Sequence, residues 1–329
     1  MLLETTLMGV PLRNPFIVGA NPWTGKISKL KELEAAGAGA VVLPSLFEEK
    51  IHLEDYKFQE DLHAFDDLHA EMVTVHPDQP YAGANIYLHF LKMAKQALGI
   101  PVFASLNAIS PAAWVHYAKK LEEAGADGLE INLYHTAKDP TRSSQEIENE
   151  QLQIVQQVRN EINIPISVKL SPFYTNTLHF IKRLEEIGVD AYVLFNRFFA
   201  EEIDTDEELL KFPLRLSQGG EYTHALKTIG LLYGNVKGDL VANGGLLDVD
   251  AVLQVLLAGA DAVQVVSMLH KRSPEALADL INDVSFWMEE RGYGSLESFR
   301  GKLSKQNLDD PFAFEREQYI DLLLKANIL

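Results

Sequence analysis

A lysine inside an apolar run is the first residue of this chain that points to chemistry. Lys169 stands in Ile-Ser-Val-Lys-Leu-Ser-Pro, residues 166 to 172 of 329, where the neighbouring side chains read as a buried strand. A buried ammonium is costly unless an anionic or strongly polar group meets it, so the position suits stabilisation of developing negative charge or a Schiff base with a carbonyl. A second constellation suits a phosphate. Residues 240 to 267, LVANGGLLDVDAVLQVLLAGADAVQVVS, read as strand, glycine turn, helix, glycine turn, strand. Gly244 and Gly245 can take positive φ or let a bound group approach the backbone, Asp248 is placed to cap a helix from Val249, and Gly259 closes it. The turns at Gly244-Gly245 and Ser267 present backbone N–H groups at a positive dipole end; a plain βαβ crossover without a ligand fits this stretch equally well. No GxGxxG dinucleotide fingerprint accompanies it.

The elements that must position these residues show a repeat. ELEAAGAGAVVL (32–43), LEEAGADGLEI (121–131), LEEIGVDAYVL (184–194) and LLAGADAVQV (256–265) each read as helix end, glycine, apolar strand. Consecutive apolar residues after each glycine fit a parallel sheet buried on both faces. The strands predicted are Phe16–Val18, Ala40–Leu43, Val102–Leu106, Gly128–Leu133, Ile166–Leu170, Ala191–Phe195, Leu240–Ala242 and Ala262–Val266. Eight such βα units imply an α/β fold, a closed (β/α)8 TIM barrel with long βα-loop insertions and a C-terminal helical extension; an open doubly wound sheet is the runner-up.

Each predicted strand stops at a polar side chain: Asn21, Ser45 after Pro44, Asn107, Asn132, Lys169, Asn196, Asn243 and Ser267. In a closed barrel these ends share one face and converge on one pocket. Taken singly, Asn, Ser and Gly are also ordinary turn formers. Residues 46–84 and 197–219 are longer than usual βα loops and read as lids; the shorter HTAKDPTRSS (135–144) reads as a mobile loop carrying His135, Lys138 and Arg142 over the pocket. The tail, DDPFAFEREQYIDLLLKANIL, is expected to pack as a helix on the barrel or on a second subunit. No Gly/Ser/Pro linker divides the chain, so residues 1–329 are read as a single domain.

The balance of 29 Lys+Arg against 47 Asp+Glu gives a net charge of −18, which argues against nucleic acid or an anionic membrane as partner. Any anionic ligand has to be held locally. With no cysteine, disulfides, iron–sulfur clusters, Cys-based zinc and thiol nucleophiles are excluded, and no metal site is expected. The N-terminus lacks a basic n-region and no uncharged apolar run is long enough to span a bilayer, so the chain is expected to be soluble and cytoplasmic.

These residues resemble the FMN-binding barrels of the dihydroorotate dehydrogenase family, and more closely its dihydroorotate dehydrogenase-like branch. The resemblance covers nearly the whole chain and rests, in order, on LMGVPLRNPFIVGAN, GAGAVVLPSLFEE, ADGLEINLYH, ISVKLSPF, LFNR and LVANGGLLDVDAVLQVLLAGADAVQVVSMLH, with SFWMEERGYGSLESFRGKLS matching the like-branch in particular. It implies FMN across the carboxyl face, its phosphate at Gly244, Gly245 and Ser267, and its ring beside Ala20 and Ser45. Asn132, Lys169 and Asn196 match flavin- and substrate-contacting strand ends, and Lys169 would stabilise the negative charge of a reduced flavin. The implied reaction is hydride transfer between flavin N5 and a small cyclic or unsaturated substrate.

Departures from the family bear on that substrate. Pro44 stands where the orotate-forming enzymes have a lysine, the asparagine-rich substrate loop is not recognisable in VHPDQPYAGAN, and Ala137 stands where the family has asparagine. The position of the family's Cys or Ser base is His135, which suits either an acid–base role or a solvated loop. The expected substrate is therefore not dihydroorotate, although Arg197, beside Asn196, would supply a cation in place of the missing lysine and so favour it. Two alternatives stay open: a flavin-free barrel enzyme forming a Schiff base on Lys169, and a flavoprotein redox subunit without its own substrate. A homodimer or a redox partner is the association these readings allow.

Overall fold

In the computed structural model, residues 3–49, 51, 82–108, 110–134, 137–197, 201–213, 215–310, 314 and 324 are described. The glycine repeat explains how the strands are laid side by side. Gly125, Gly188 and Gly259 end their helices at φ +92°, +91° and +122°, and two residues later come Asp127, Asp190 and Asp261. Each carboxylate accepts the backbone N–H at the start of the neighbouring strand: Val102 (2.6 Å), Ile166 (2.8 Å) and Leu240 (2.7 Å). The first copy has Gly39 instead, because a Cβ there would lie 2.3 Å from the Asn14 carbonyl oxygen. Asn14 takes over the role, accepting from the Phe16 N–H (3.0 Å) and donating to Gly37 O (2.7 Å).

The chain opens with a hairpin, β1 (Thr5–Leu7) and β2 (Val10–Leu12), followed by β3 (Phe16–Val18), α1 (Ile27–Ala35), β4 (Ala40–Phe47) and α2 (Ala82–Ala97). Then come β5 (Val102–Asn107), α3 (Pro111–Glu123), β6 (Gly128–Leu133), α4 (Ser144–Glu161), β7 (Ile166–Leu170), α5 (Thr177–Ile187) and β8 (Ala191–Leu194). A second hairpin, β9 (Glu202–Asp204) and β10 (Leu209–Lys211), precedes α6 (Thr223–Leu232), β11 (Asp239–Asn243), α7 (Val249–Ala258), β12 (Ala262–Val265), α8 (Ser267–Lys271) and α9 (Ala276–Glu290). Eight parallel strands close in the order β11-β12-β3-β4-β5-β6-β7-β8, the (β/α)8 barrel read from the sequence.

Local signals set the helices. Ser110 accepts from the Ala113 N–H with Pro111 in the first turn, Ser143 and Glu146 form a reciprocal capping box, and Asp248 accepts from the Ala251 N–H at 2.9 Å. One strand differs from expectation by more than a residue at an end. β4 does not stop before Pro44 but continues to Phe47, and its pairing with β5 shifts register between Val42 and Ser45, where proline cannot donate to the ladder.

Side chains alternate between two cores. Outward residues such as Phe16, Leu43, Leu129, Val168 and Tyr192 pack under the helices, whereas Ile17, Val42, Phe103, Val193 and Val241 fill the barrel with Leu7, Met8 and Leu12 of the first hairpin. That hairpin stoppers the amino end, and the Met8 N–H donates to Asp239 Oδ2 at 2.5 Å. Above this apolar plug the interior turns polar, with Ser105, Glu130, Ser167, Lys169 and Gln264 all buried. Trp287 near the end of α9 forms a three-ring cluster with Tyr293 and Phe299 beyond it, and Arg300 pairs with Asp261 at 2.7 Å. Of the C-terminal tail, Phe314 packs against Gly230 of α6, where a Cβ would lie 2.4 Å from the ring; the rest of 311–329 except Leu324, and the middle of the 46–84 excursion, lie outside the described residues. Among the described residues no helix is long and apolar enough to cross a membrane.

Candidate active site

The strand ends build a cavity of about 350 Å³ at the carboxyl face. Ala20, Lys169, Asn196, Arg197, Gly244, Gly245 and Ser267, each expected at the site, line it. Asn21, Arg215, Ser217, Asn243, Gln264 and His270 join them. The described walls carry three cations and no carboxylate, in a chain of net charge −18. Lys169 and Arg215 have carboxylate partners behind the wall, Glu130 at 3.7 Å and Glu202 at 2.5 Å, whereas Arg197 bonds to the Ser217 hydroxyl.

A ring of amides frames the floor. Asn196 Nδ2 donates to Asn132 Oδ1 (2.7 Å), Asn107 Nδ2 to the Asn132 carbonyl (3.2 Å) and Asn243 Nδ2 to the Phe195 carbonyl (2.6 Å). Asn132 thus sits one contact behind the cavity wall and orients Asn196. Ser45 is also off the wall, with its hydroxyl 2.7 Å from that of Ser105.

Gly244 and Gly245 have different reasons to be glycine. At Gly244 (φ +94°) an added Cβ would meet nothing within 4 Å, so its backbone faces open space. At Gly245 (φ +68°) a Cβ would lie 2.9 Å from both Gln218 O and Tyr222 N. The close approach expected of Gly245 for a ligand is therefore taken by the protein's own 218–222 turn.

The 197–219 excursion walls one side. The Ser217 N–H donates to Ser267 Oγ (2.9 Å), Arg197 Nη1 to Ser217 Oγ (3.2 Å) and Lys271 Nζ to the Ser217 carbonyl (2.7 Å), fastening the loop to the β12 turn. Arg215 pairs with Glu202 of β9 at 2.5 Å. The His270 ring lies 4.2 Å from that of Trp23, tilted by 42°, with Nε2 3.3 Å from Asn21 Oδ1, and burial holds its pKa below the ordinary histidine value.

Lys169 has the partners its burial demands. Nζ donates to Gln264 Oε1 at 3.1 Å and lies 3.7 Å from Glu130 Oε1. Sequence reasoning missed Glu130 and Gln264, although each interrupts an apolar strand run as Lys169 does, in GLEINL and AVQV. A second cavity of about 440 Å³ opens beside the ends of β6 and β7, walled by Tyr134, Ala137, Arg142, Phe173 and Tyr174 among others. Arg142, expected over the site, lines this one and pairs with Glu150 at 2.7 Å. Larger though it is, none of the strand-end asparagines, Lys169 or Gly244 lines it. His135, expected as the acid–base residue, lies outside the described residues.

The group that this donor set fits is an anion carrying a flat polar ring: Gly244 leaves room beside the backbone, the amides and Lys169 offer hydrogen bonds, and the volume falls in the roughly 300–1,000 Å³ range of cofactor pockets. FMN has that chemistry. A family model described as dihydroorotate dehydrogenase matches residues 79–288. Relatives include the catalytic subunits of dihydroorotate dehydrogenase B (NAD(+)) from Thermoplasma acidophilum, 24% identical over 91% of this chain and 98% of that protein, and from Methanothermobacter thermautotrophicus, 26% identical over 91% and 98%. Dihydroorotate dehydrogenase A (fumarate) of Lactococcus lactis subsp. lactis is 26% identical over 92% of this chain and 99% of its own. With a family match spanning well over half its length, on a closed parallel barrel with its cavity at the carboxyl face, the chain belongs to the dihydroorotate dehydrogenase family.

Proposed function

We propose that this protein is an FMN-dependent oxidoreductase acting on a CH–CH bond of a small cyclic or unsaturated substrate other than dihydroorotate. The observation that carries the reading is the carboxylate-free, cation-lined cavity at the strand ends of a strongly acidic chain. The relatives' names support the reaction type. When bound, FMN supplies hydride transfer at N5. The chain's own residues would do the rest: Gly244 and the turn at Ser267 would hold the phosphate, Ala20 would leave room for the ring, and Lys169 with Gln264 would offer it hydrogen-bond donors. Asn196, oriented by Asn132, and Arg197 bind substrate, and His135 moves the proton.

Two positions favour a substrate other than dihydroorotate. Pro44 packs against the 22–25 turn, with Cγ 3.2 Å from where a Gly25 Cβ would stand, and it offers no donor; Ala137, on the wall of the neighbouring cavity, offers no amide where the family has asparagine. Losing hydrogen-bonding partners at about 1–3 kcal/mol each weakens productive binding by orders of magnitude. The Schiff-base alternative is disfavoured because Lys169 is held by partners that suit an ammonium. Association with a second copy or a redox partner, a single domain over residues 1–329 and a cytoplasmic location belong to the same proposal.

The test is anaerobic mixing of the FMN-loaded protein with excess dihydroorotate while following flavin bleaching. Negligible reduction is expected, followed by rapid reduction by another unsaturated or cyclic compound in a screen. Fast, complete bleaching by dihydroorotate would overturn the substrate assignment. With the true substrate, His135→Ala is expected to slow reduction by about two orders of magnitude, the usual worth of a general acid or base; an unchanged rate would remove His135 from the mechanism.

A further inference from the structure

Lys169, Gln264 and Glu130 close a triangle inside the barrel. Lys169 Nζ donates to Gln264 Oε1 (3.1 Å), Gln264 Nε2 donates to Glu130 Oε2 (2.5 Å), and Glu130 Oε1 stands 3.7 Å from Lys169 Nζ. The three residues come from β7, β12 and β6, so the triangle bridges opposite sides of the barrel. Lys169 and Gln264 line the cavity; Glu130, only 1% exposed, does not. The carboxylate therefore reaches a bound group only through the other two. A buried ammonium without a counter-charge is expensive, and so is a buried carboxylate. Gln264 is the only one of the three with both a donor and an acceptor to give; its N–H goes to Glu130, which turns its oxygen to Lys169.

We propose that Glu130 is a positioning residue of the site. It fixes the Lys169 ammonium and the Gln264 amide at the cavity floor and cancels the lysine's charge, so that a bound ring meets a directed donor on a floor of nearly zero net charge. The consequence for flavin rests on the FMN reading above; the coupling of the three side chains does not.

Two measurements on the full-length protein test this. The first uses flavin-free protein and compares denaturation midpoints of wild type, Glu130→Gln, Lys169→Met and the double variant. Each single change strands one buried charge and lowers the midpoint; the double variant is expected to recover most of the loss. A single variant that fails to fold while the double variant folds shows the same coupling. Additive losses, or a double variant that fails to fold, would overturn the proposal. The second measures the flavin midpoint potential of the same four FMN-loaded proteins. With floor charges of +1 for Glu130→Gln, zero for wild type and the double variant, and −1 for Lys169→Met, the potentials are expected to fall in that order. Steps are expected to be on the order of tenfold in the reduced-to-oxidised ratio, about 30 mV for a two-electron couple. A merely structural role would not place wild type and the double variant together between the singles, and potentials that do not follow this order would overturn the proposal. If wild type binds no FMN, the FMN reading fails, and the denaturation cycle alone decides the coupling.

Discussion

The two ends of this barrel are made from the same strands by opposite chemistry. At the amino end, Asp127, Asp190, Asp239 and Asp261 spend their carboxylates on backbone N–H groups, and Leu7, Met8 and Leu12 seal what remains. At the carboxyl end the strands finish in amides and cations around an open cavity without a described carboxylate. The difference teaches where charge is structural and where it is available. Acidic groups below are consumed in holding the strands in register, whereas the donors above have directions left over for a ligand.

If this division holds, the largest effect on stability comes from the closed end. Phe103, 2% exposed in the interior plug, is expected to cost about 3–5 kcal/mol when changed to Ala, read as a shift in denaturant midpoint, while FMN affinity under native conditions stays close to wild type. A Phe103→Ala protein of wild-type stability would show that the plug does not close the barrel. An intermediate effect separates the two adjacent glycines. Gly245→Val drives a side chain into the 218–222 backbone and is expected to destabilise the fold by about 1–3 kcal/mol together with flavin binding. Gly244→Val meets no protein atom at its Cβ, costs mainly the strain of φ +94°, and is expected to remove FMN binding from a folded protein. Equal behaviour of the two variants would erase the distinction between them.

The smallest effect is a pH dependence at the closed end. Burial pushes the Asp261 carboxyl up to about 6 from 3.8, against the pull of Arg300. The folded chain then holds this proton more tightly than the unfolded chain, so the group's contribution to stability falls as pH rises from about 4 to 6 and is constant above. Asp261→Asn removes that slope: relative to wild type, the variant is expected to gain roughly 2–4 °C in Tm between pH 4.5 and 7. A difference independent of pH would contradict the assignment.

How much of this was legible in the sequence follows from how local each signal is. Gly128–Leu133 and Ile166–Leu170 were bounded correctly because a glycine or proline opens them and apolar runs fill them. The glycine helix ends were readable for the same reason, but the aspartate two residues later was not, since its partner is the opening N–H of the adjacent strand. β4 overran its expected end because the register shift that admits Pro44 is a property of two strands together. At the site, seven expected residues line the cavity, since strand ends are set by sequence and converge once the barrel closes. Ser45 and Asn132 stand off the cavity wall, Ser45 against the Ser105 hydroxyl and Asn132 behind Asn196, and Arg142 pairs with Glu150 beside the second cavity. Glu130 and Gln264 escaped notice because their reason for being there is a lysine on a third strand.

Whether the open end holds flavin is decided by titrating the purified, flavin-stripped protein with FMN while following flavin fluorescence and absorbance, with Gly244→Val as control. Saturable binding of one FMN per chain, weakened at least tenfold in Gly244→Val, is the result this account predicts. A wild-type protein that leaves the flavin spectrum unchanged, or a Gly244→Val protein that binds FMN as wild type does, would contradict it.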